Sequence, residues 1–417
     1  MDNLLHWIWL SLSVKPGGES FKKLYLRFGS AFAIYSADEA DLAAVIGSRT
    51  SDYSALLDKD LERAEAVLDF CRSKSVGILI YSDERYPENL RKIPNPPVLL
   101  YYRGNLPDFA NELCISVVGT RSVSEYGIKN AFYVSRDLAK AGATLVSGMA
   151  IGIDGVALAG ALSEGKATVA VIGSGIDVCY PPQHKRLARE IVKRGCVMTE
   201  YAPGTPPNGS NFPIRNRIIS GLSAATLVIE GDERSGALIT ARRAISQGRT
   251  VYALPGNVGN RNSEAPNLLI KNGSKAFSSA DDVVRDFEKT HPGKLNPFNL
   301  LTPSSKSLAS VLAEYEVAAL SPGDKVFSPP RKKKEKRNDA SFEVEFPISD
   351  GDETEKKLSK LDLKLRSLYE KIPRGKSISQ ESLVSEEIPM RELMRALLKL
   401  EMAGLITMLP GEMLKRK

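Results

Sequence analysis

CISVVGTRSVSEYGIKNAFYVSRDLAKAGATLVSG, residues 114–148, is the stretch that decides the fold. It opens on a short apolar run, CISVV, passes through a glycine-bearing loop, and enters a stretch of helical period. It then ends in a second apolar run, ATLVS. A strand that is apolar at nearly every position is buried on both faces, as in a parallel sheet covered by helices. The unit recurs downstream. ATVAVIG, CVMTEY, ATLVIEG and TVYALPG alternate with helical stretches such as HKRLAREIVKRG. Right-handed crossovers then give an α/β fold, a Rossmann-like doubly wound parallel sheet that closes near residue 290.

The flanks read differently. Residues 1–72 are helical, with glycine turns between short helices. Two apolar segments, GILIY (77–81) and PVLLYY (97–102), follow among proline-rich turns. The sheet domain is expected over 73–290. Residues 291–358 have the proline, serine and charge content of a flexible linker, including the basic run RKKKEKR (331–337). Residues 359–417 show three helical patterns and a small hairpin in GLITMLPGEML, which suggests a winged-helix-like module. Met394, Leu397, Leu398 and Leu405 read as its core, and Arg391, Arg395 and Lys399 as one basic helix face. That module suits duplex DNA or a protein contact.

The chain has 417 residues, 42% of them hydrophobic, and a net charge of +7, which favours an anionic partner. Cys71, Cys114, Cys179 and Cys196 are too widely spaced for a zinc knuckle or a redox pair. Reduced thiols fit the cytoplasm. The start, MDNLLHWIWLSLS, reads as an amphipathic helix and not as a signal peptide, and no run is long enough to span a bilayer.

Ligands of open parallel sheets bind beyond the carboxyl ends of the strands. Here those ends carry Gly119, Thr120, Arg121 and Ser122; then Ser147, Gly148 and Gly152; then Gly173 and Gly175; and, opening later helices, Ser235 and Gly236. Glycines admit an anion close to backbone N–H groups, and hydroxyls add donors. The fourth loop contains NFPIRNRIISGLS (211–223). Pro213 suits a first helical position, which places Asn211 and Phe212 at a helix mouth beside Arg215, Asn216 and Arg217. An aromatic ring, arginines and a positive helix end suit a phosphate carrying a base. The plain structural alternative is a surface helix with solvated arginines and a hydrophobic staple. A staple needs an apolar residue before the cap, and Asn211 stands there. Arg215 and Arg217 point to nearly opposite sides of the helix, one toward the ligand and one toward a carboxylate; the sequence does not say which.

Catalytic signals are missing. Asp154 reads as the N-cap of GVALAGAL. Glu200 and Glu230 end strands and suit orienting arginines. His6, His184 and His291 are scattered, and no metal-ligand spacing or Walker lysine appears. Ser147 stands where a dinucleotide site needs an acid. The expectation is a binding protein with no cofactor and no metal, not an enzyme.

VVGTRSVSEYG (117–127), SGMAIGID (147–154), VIGSGIDVCYPP (171–182), NFPIRNRIISGLS, SGALITARRA (235–244) and ALPGN (253–257), in this order, resemble the DNA-processing protein A family, also called Smf. The resemblance implies a cytoplasmic, dimeric, single-stranded-DNA-binding recombination mediator. Such proteins protect incoming DNA in natural transformation (competence) and load the RecA recombinase. It also implies DNA contacts at Arg121 and around Phe212, and a helical start of the SAM or helix-hairpin-helix kind. Leu158, His184, Gly209 and Gly231 depart from the family pattern, where histidine, asparagine, a DNA-contacting lysine and alanine are common. The alternative is a nucleotide phosphoribohydrolase-like enzyme on the same sheet. Its PGGxGTxxE signature is missing from RSGALITARRA (234–244).

Overall fold

The computed structural model describes residues 4–319 and scattered positions between 368 and 416. Two compact units divide the chain, Met1–Lys332 and Lys333–Lys417.

In the first unit nine strands form one sheet. They are β1 (Gly77–Ile80), β2 (Leu99–Gly104), β3 (Cys114–Val118), β4 (Thr144–Ser147), β5 (Thr168–Val171), β6 (Cys196–Thr199), β7 (Ala225–Val228), β8 (Thr250–Ala253) and β9 (Lys275–Ala276). Their order is β1-β2-β6-β5-β4-β3-β7-β8-β9. The strands from β3 to β7 are buried at every residue, which is why they read as continuous apolar runs. Their pairings are parallel, as are those of β8 and β9; Ile115, for example, faces Leu145 on one side and Ala225 on the other.

The expected purely parallel sheet needs one correction. The two early apolar segments join it, and they run antiparallel. Tyr101 of β2 pairs with Thr199 of β6, and Ile78 of β1 pairs with Tyr101. β1 is only partly buried, a pattern that an antiparallel edge tolerates and a central parallel strand does not.

Helices cover both faces. Alternate residues of β3 sort between them: Ile115 and Val117 enter one core, Cys114 and Val118 the other. The first core holds α8 (Glu125–Ala141), α9 (Ile153–Ser163), α10 (Lys185–Arg194) and α14 (Ala280–Thr290). The second holds α11 (Asn211–Leu222), α12 (Gly236–Ser246) and α13 (Glu264–Lys271), with the short α7 (Glu88–Arg91).

The N-terminal helices are α1 (Leu4–Ser13), α2 (Ser20–Phe28), α3 (Ala31–Tyr35), α4 (Glu39–Ile46), α5 (Ser51–Leu56) and α6 (Glu62–Ser73). They bury Trp7, Ile8 and Leu10 completely, in the same core that contains Leu99 and Tyr101 of β2. These helices are therefore packed on the sheet, within one unit.

Part of the expected linker is folded, against its composition. A 3₁₀ turn, Pro297–Leu301, and α15 (Leu308–Glu314) fold back onto the first core, with Val311 and Tyr315 buried. Leu308, Val311, Leu312 and Tyr315 recur at helical spacing, a signal that the surrounding serines and lysines mask. The run 331–337 lies outside the described residues.

In the second unit, β10 (Ser377–Ser379), β11 (Ile406–Leu409) and β12 (Met413–Arg416) form an antiparallel sheet in the order β10-β12-β11. Leu409 pairs with Met413, so the chain turns in the stretch expected as a hairpin. Leu368, Tyr369, Ile372, Leu393, Leu397, Leu400 and Ile406 pack together. Met394, Leu398 and Leu405, and the basic face of Arg391, Arg395 and Lys399, lie outside the described residues.

Candidate nucleic-acid interface

β3 lies between β4 and β7, so the chain winds away from it in both directions. The crevice outside this switch point is where open α/β sheets take ligands. A cleft of about 830 Å³ lies there. The loop after β3 supplies Gly119, Thr120, Arg121 and Ser122. α11 supplies Phe212, Arg215 and Asn216, and the start of α12 supplies Ser235 and Gly236. Arg234, Asn260, Arg261 and Asn262 complete the rim.

The loop after β3 is fixed from behind. Thr120 N–H donates to the Glu230 carbonyl at 2.8 Å. The Glu230 carboxylate accepts from Ser124 N–H at 3.0 Å, from the Ser124 hydroxyl, and from Asn262 Nδ2 at 3.3 Å. Glu230 thus orders two rim loops; its partners are a serine and an asparagine, not the arginines expected of it.

α11 begins at Asn211, so Pro213 is the third helical residue and not the first. A proline still loses no helical bond there, because the first-turn N–H groups have no partner within the helix. The earlier start turns Asn211 inward, where its Nδ2 donates to the Gly173 carbonyl at 3.0 Å. Phe212 stays at the surface of the cleft. The Arg121 guanidinium lies 5.3 Å above its ring centroid, within cation–π reach, and the Tyr180 ring lies 5.5 Å away.

The two arginines of the helix divide in an unexpected way, because both are buried. Arg217 pairs with Glu200 at 2.5 Å, each side chain 5% exposed. Arg215 lies under the cleft floor, and one nitrogen donates to the carbonyl of Gly148 at 2.8 Å and to that of Val171. Burial lowers its pKa to about 10. It lines the cleft while its donors serve the ends of β4 and β5.

Asp154 is also corrected. It lies inside α9, whose cap position is Gly152, and its carboxylate accepts the N–H of Gly148 at 3.1 Å. Burial raises its pKa, against the fields of Arg215 and Arg121.

The other expected positions also make bonds or close contacts within the protein. The Ser147 hydroxyl donates to the Val117 carbonyl at 2.6 Å. Gly152 has φ +90° and faces the Thr120 carbonyl so closely that a Cβ would stand 2.5 Å from it. Gly173 lies under Phe212, and Gly175 N–H donates to the Thr205 carbonyl at 2.8 Å. Asn216 reaches the Gly236 carbonyl at 3.5 Å, and Ser235 caps α12 by accepting from Ala237 N–H.

His184 takes a role that the sequence did not suggest. It is fully buried, with Nδ1 3.0 Å from the Met149 carbonyl, and Nε2 accepts the Ala318 N–H at 3.0 Å. Gly152 N–H donates to the Ala318 carbonyl, also at 3.0 Å.

The family model of "DNA recombination-mediator protein A" matches residues 77–288, from β1 to α14. The chain belongs to this family. It is 40% identical over 248 residues to DNA processing protein DprA of Streptococcus pneumoniae, covering 60% of this chain and 86% of that protein. It is 35% identical over 232 residues to DprA of Bacillus subtilis, covering 56% and 78%. The X-ray structure of the S. pneumoniae protein superposes with a TM-score of 0.59 at 34% identity, covering 69% of this chain and 99% of that one. Members of the DNA recombination-mediator protein A family are DNA-processing proteins. The cleft-lining Arg121 and Phe212 fall inside the matched segment. So does Gly209, which stands on the cleft wall with open space around it.

Asn260, Arg261 and Asn262 are rim residues that the sequence reading did not single out. Their signal was the stretch after the sixth apolar run, PGNVGNRN (255–262), of which only the first half was counted. Among the described residues no helix is long and apolar enough to cross a membrane, and no group of three or more histidines, cysteines or acids is placed to hold a metal.

Proposed function

We propose that this chain binds single-stranded DNA in the cleft as a recombination mediator. The observation that carries the reading is Arg121 lying over the Phe212 ring, at the mouth of an 830 Å³ crevice on the switch point. A cation and a cleft-lining aromatic ring together accept a phosphate and the base beside it, and the base can be any of the four. An unpaired strand offers its bases to that ring, and a duplex hides them. The two carboxylates of the cleft are both engaged: Asp154 with the Gly148 amide, Asp232 with Arg261 at 2.9 Å. That arrangement favours binding over hydrolysis.

Membership in the family supports the finer reading. The bound strand is handed to RecA in recombination or natural transformation, the working form is a dimer, and the compartment is the cytoplasm. We assign residues 359–417 to a winged-helix-like module with its own duplex or protein contact.

Fluorescence anisotropy with single-stranded oligonucleotides across a salt series tests the site. Phe212→Ala should weaken binding by about 1–3 kcal/mol. Arg121→Ala should weaken it and flatten the logarithmic salt slope by roughly 0.7 per phosphate released. Wild-type affinity and slope in both variants would remove the cleft from consideration.

A further inference from the structure

Away from the cleft, one helix carries charge of nearly a single sign. α10, KRLAREIVKR, buries Leu187 and Ile191 and exposes Lys185, Arg186, Arg189, Lys193 and Arg194. Five cations face two carboxylates here. Glu190 holds Lys193 at 2.5 Å and Arg194 at 3.9 Å, and Glu316 holds Arg186 at 3.2 Å. Among the described residues Lys185 and Arg189 form no ion pair. A groove of about 470 Å³ lies along this face, between α10 and Glu316. A helix face that is merely solvated usually mixes its signs.

A second observation joins this face to the cleft. Tyr180 lies just ahead of α10 in the chain, and its ring meets Phe212 at 5.5 Å and an interplanar angle of 36°. Lys185 and Arg189 act electrostatically on Cys179, the residue before Tyr180. A cation, two aromatic rings and a basic stripe therefore follow one another: Arg121, Phe212, Tyr180, then Lys185, Arg189 and Lys193.

We infer that a strand held in the cleft leaves it across Phe212 and Tyr180 and continues along the exposed face of α10. This rests on the single-stranded-DNA reading above. The two rings take bases, and Lys185, Arg189 and Lys193, each about 6 Å further along the helix axis, take successive stretches of phosphate. A duplex offers no free base to the rings, so the path selects an unpaired strand.

The test measures salt-dependent affinity for oligothymidylates of about 6 and about 20 nucleotides, lengths that fill one site or overrun it. The variant carries Lys185→Gln, Arg189→Gln and Lys193→Gln together. A control of equal charge change, Lys23→Gln, Arg27→Gln and Arg72→Gln, alters exposed positions on α2 and α6. The long strand should bind the α10 variant more weakly, with a slope shallower by about 2, while the short strand is unaffected. The control should match wild type with both. Three results each overturn the path: an unchanged slope with the long strand, an equal loss in the control, or an equal loss with the short strand. Failure of wild type to bind either length would sink the proposed function itself, a pattern distinct from those three.

Discussion

Two halves of the same sheet edge behave differently. The loops after β4 and β5 carry Ser147, Gly148, Gly152, Gly173 and Gly175, and the protein fills them with its own groups. Arg215 bonds the Gly148 and Val171 carbonyls, Asp154 takes the Gly148 amide, and Asn211 takes the Gly173 carbonyl. The loops after β3 and β7 carry Gly119–Ser122 and Ser235–Gly236, and they open on the cleft. In sequence both halves are glycine-rich turns at strand ends. Glycine permits close approach, and it does not say whether a ligand or the chain itself comes close.

The largest effect expected from that contrast is on stability. Arg215→Ala would leave two buried carbonyls and the buried Asp154 carboxylate without their donor and counter-charge. Removing one member of such a buried charged set costs about 3–5 kcal/mol. Urea unfolding should show that loss as a lowered midpoint. Arg121→Ala, on the open half, removes a half-buried guanidinium and its contact with the Phe212 ring, and should cost only about 0.5–1 kcal/mol. A reversed pattern, with Arg215→Ala stable but unable to bind DNA, would make Arg215 a ligand contact and erase the distinction between the halves.

The sheet was legible because its central strands are buried on both faces, which leaves no polar residue to blur CISVV or ATLVS. β1 and β2 were harder. GILIY and PVLLYY are as apolar as the others, but strand direction has no signature in so short a run. The open half of the site was legible in Arg121 and Phe212, whose chemistry is distinctive wherever they lie. The closed half was legible only in part: a carboxylate partner for one arginine, and Glu200 as a residue suited to orient one, were both readable, and Arg217 makes that pair. Arg215 was not, because its partners are two carbonyls from two strands that only the fold brings together. The role of His184 depends on Ala318, 134 residues away, which no local pattern carries.

That histidine gives a smaller effect and a pH dependence. Burial lowers its pKa from the ordinary value of 6.5, while the Nδ1 contact with the Met149 carbonyl acts in the opposite sense. Neutral His184 accepts the Ala318 N–H at Nε2, and a protonated ring has no acceptor to offer. A depressed folded pKa means that the stabilisation is present above pH 6.5 and is lost as the pH falls through the folded value. The loss is on the order of one hydrogen bond, ~1 kcal/mol. It should appear as a lower protection factor, exchange relative to the free-peptide rate at the same pH, at Ala318 and Gly152 on acidification, with the β-sheet protection factors unchanged. If His184→Ala keeps the same acid-induced loss of protection, the closed half is not tied to Ala318 through this ring.

The smallest effect separates the halves at a single methyl group. Gly236 opens α12 on the cleft rim, and a Cβ there would meet nothing within 4 Å. Gly173, on the closed side, would place its Cβ 3.0 Å from the Phe212 ring. Gly236→Ala should raise stability by about 0.4–1 kcal/mol, because the unfolded chain loses freedom and the folded chain loses no contact. Gly173→Ala should give no such gain, since the ring must shift to admit the methyl. DNA affinity should move the other way at Gly236 if phosphate comes against the bare amides of α12, because the methyl then takes up the space of the approach. A Gly236→Ala protein that is more stable and binds single strands as tightly as wild type would restrict the contact to Arg121 and Phe212, and leave the start of α12 as a rim that the strand passes without touching.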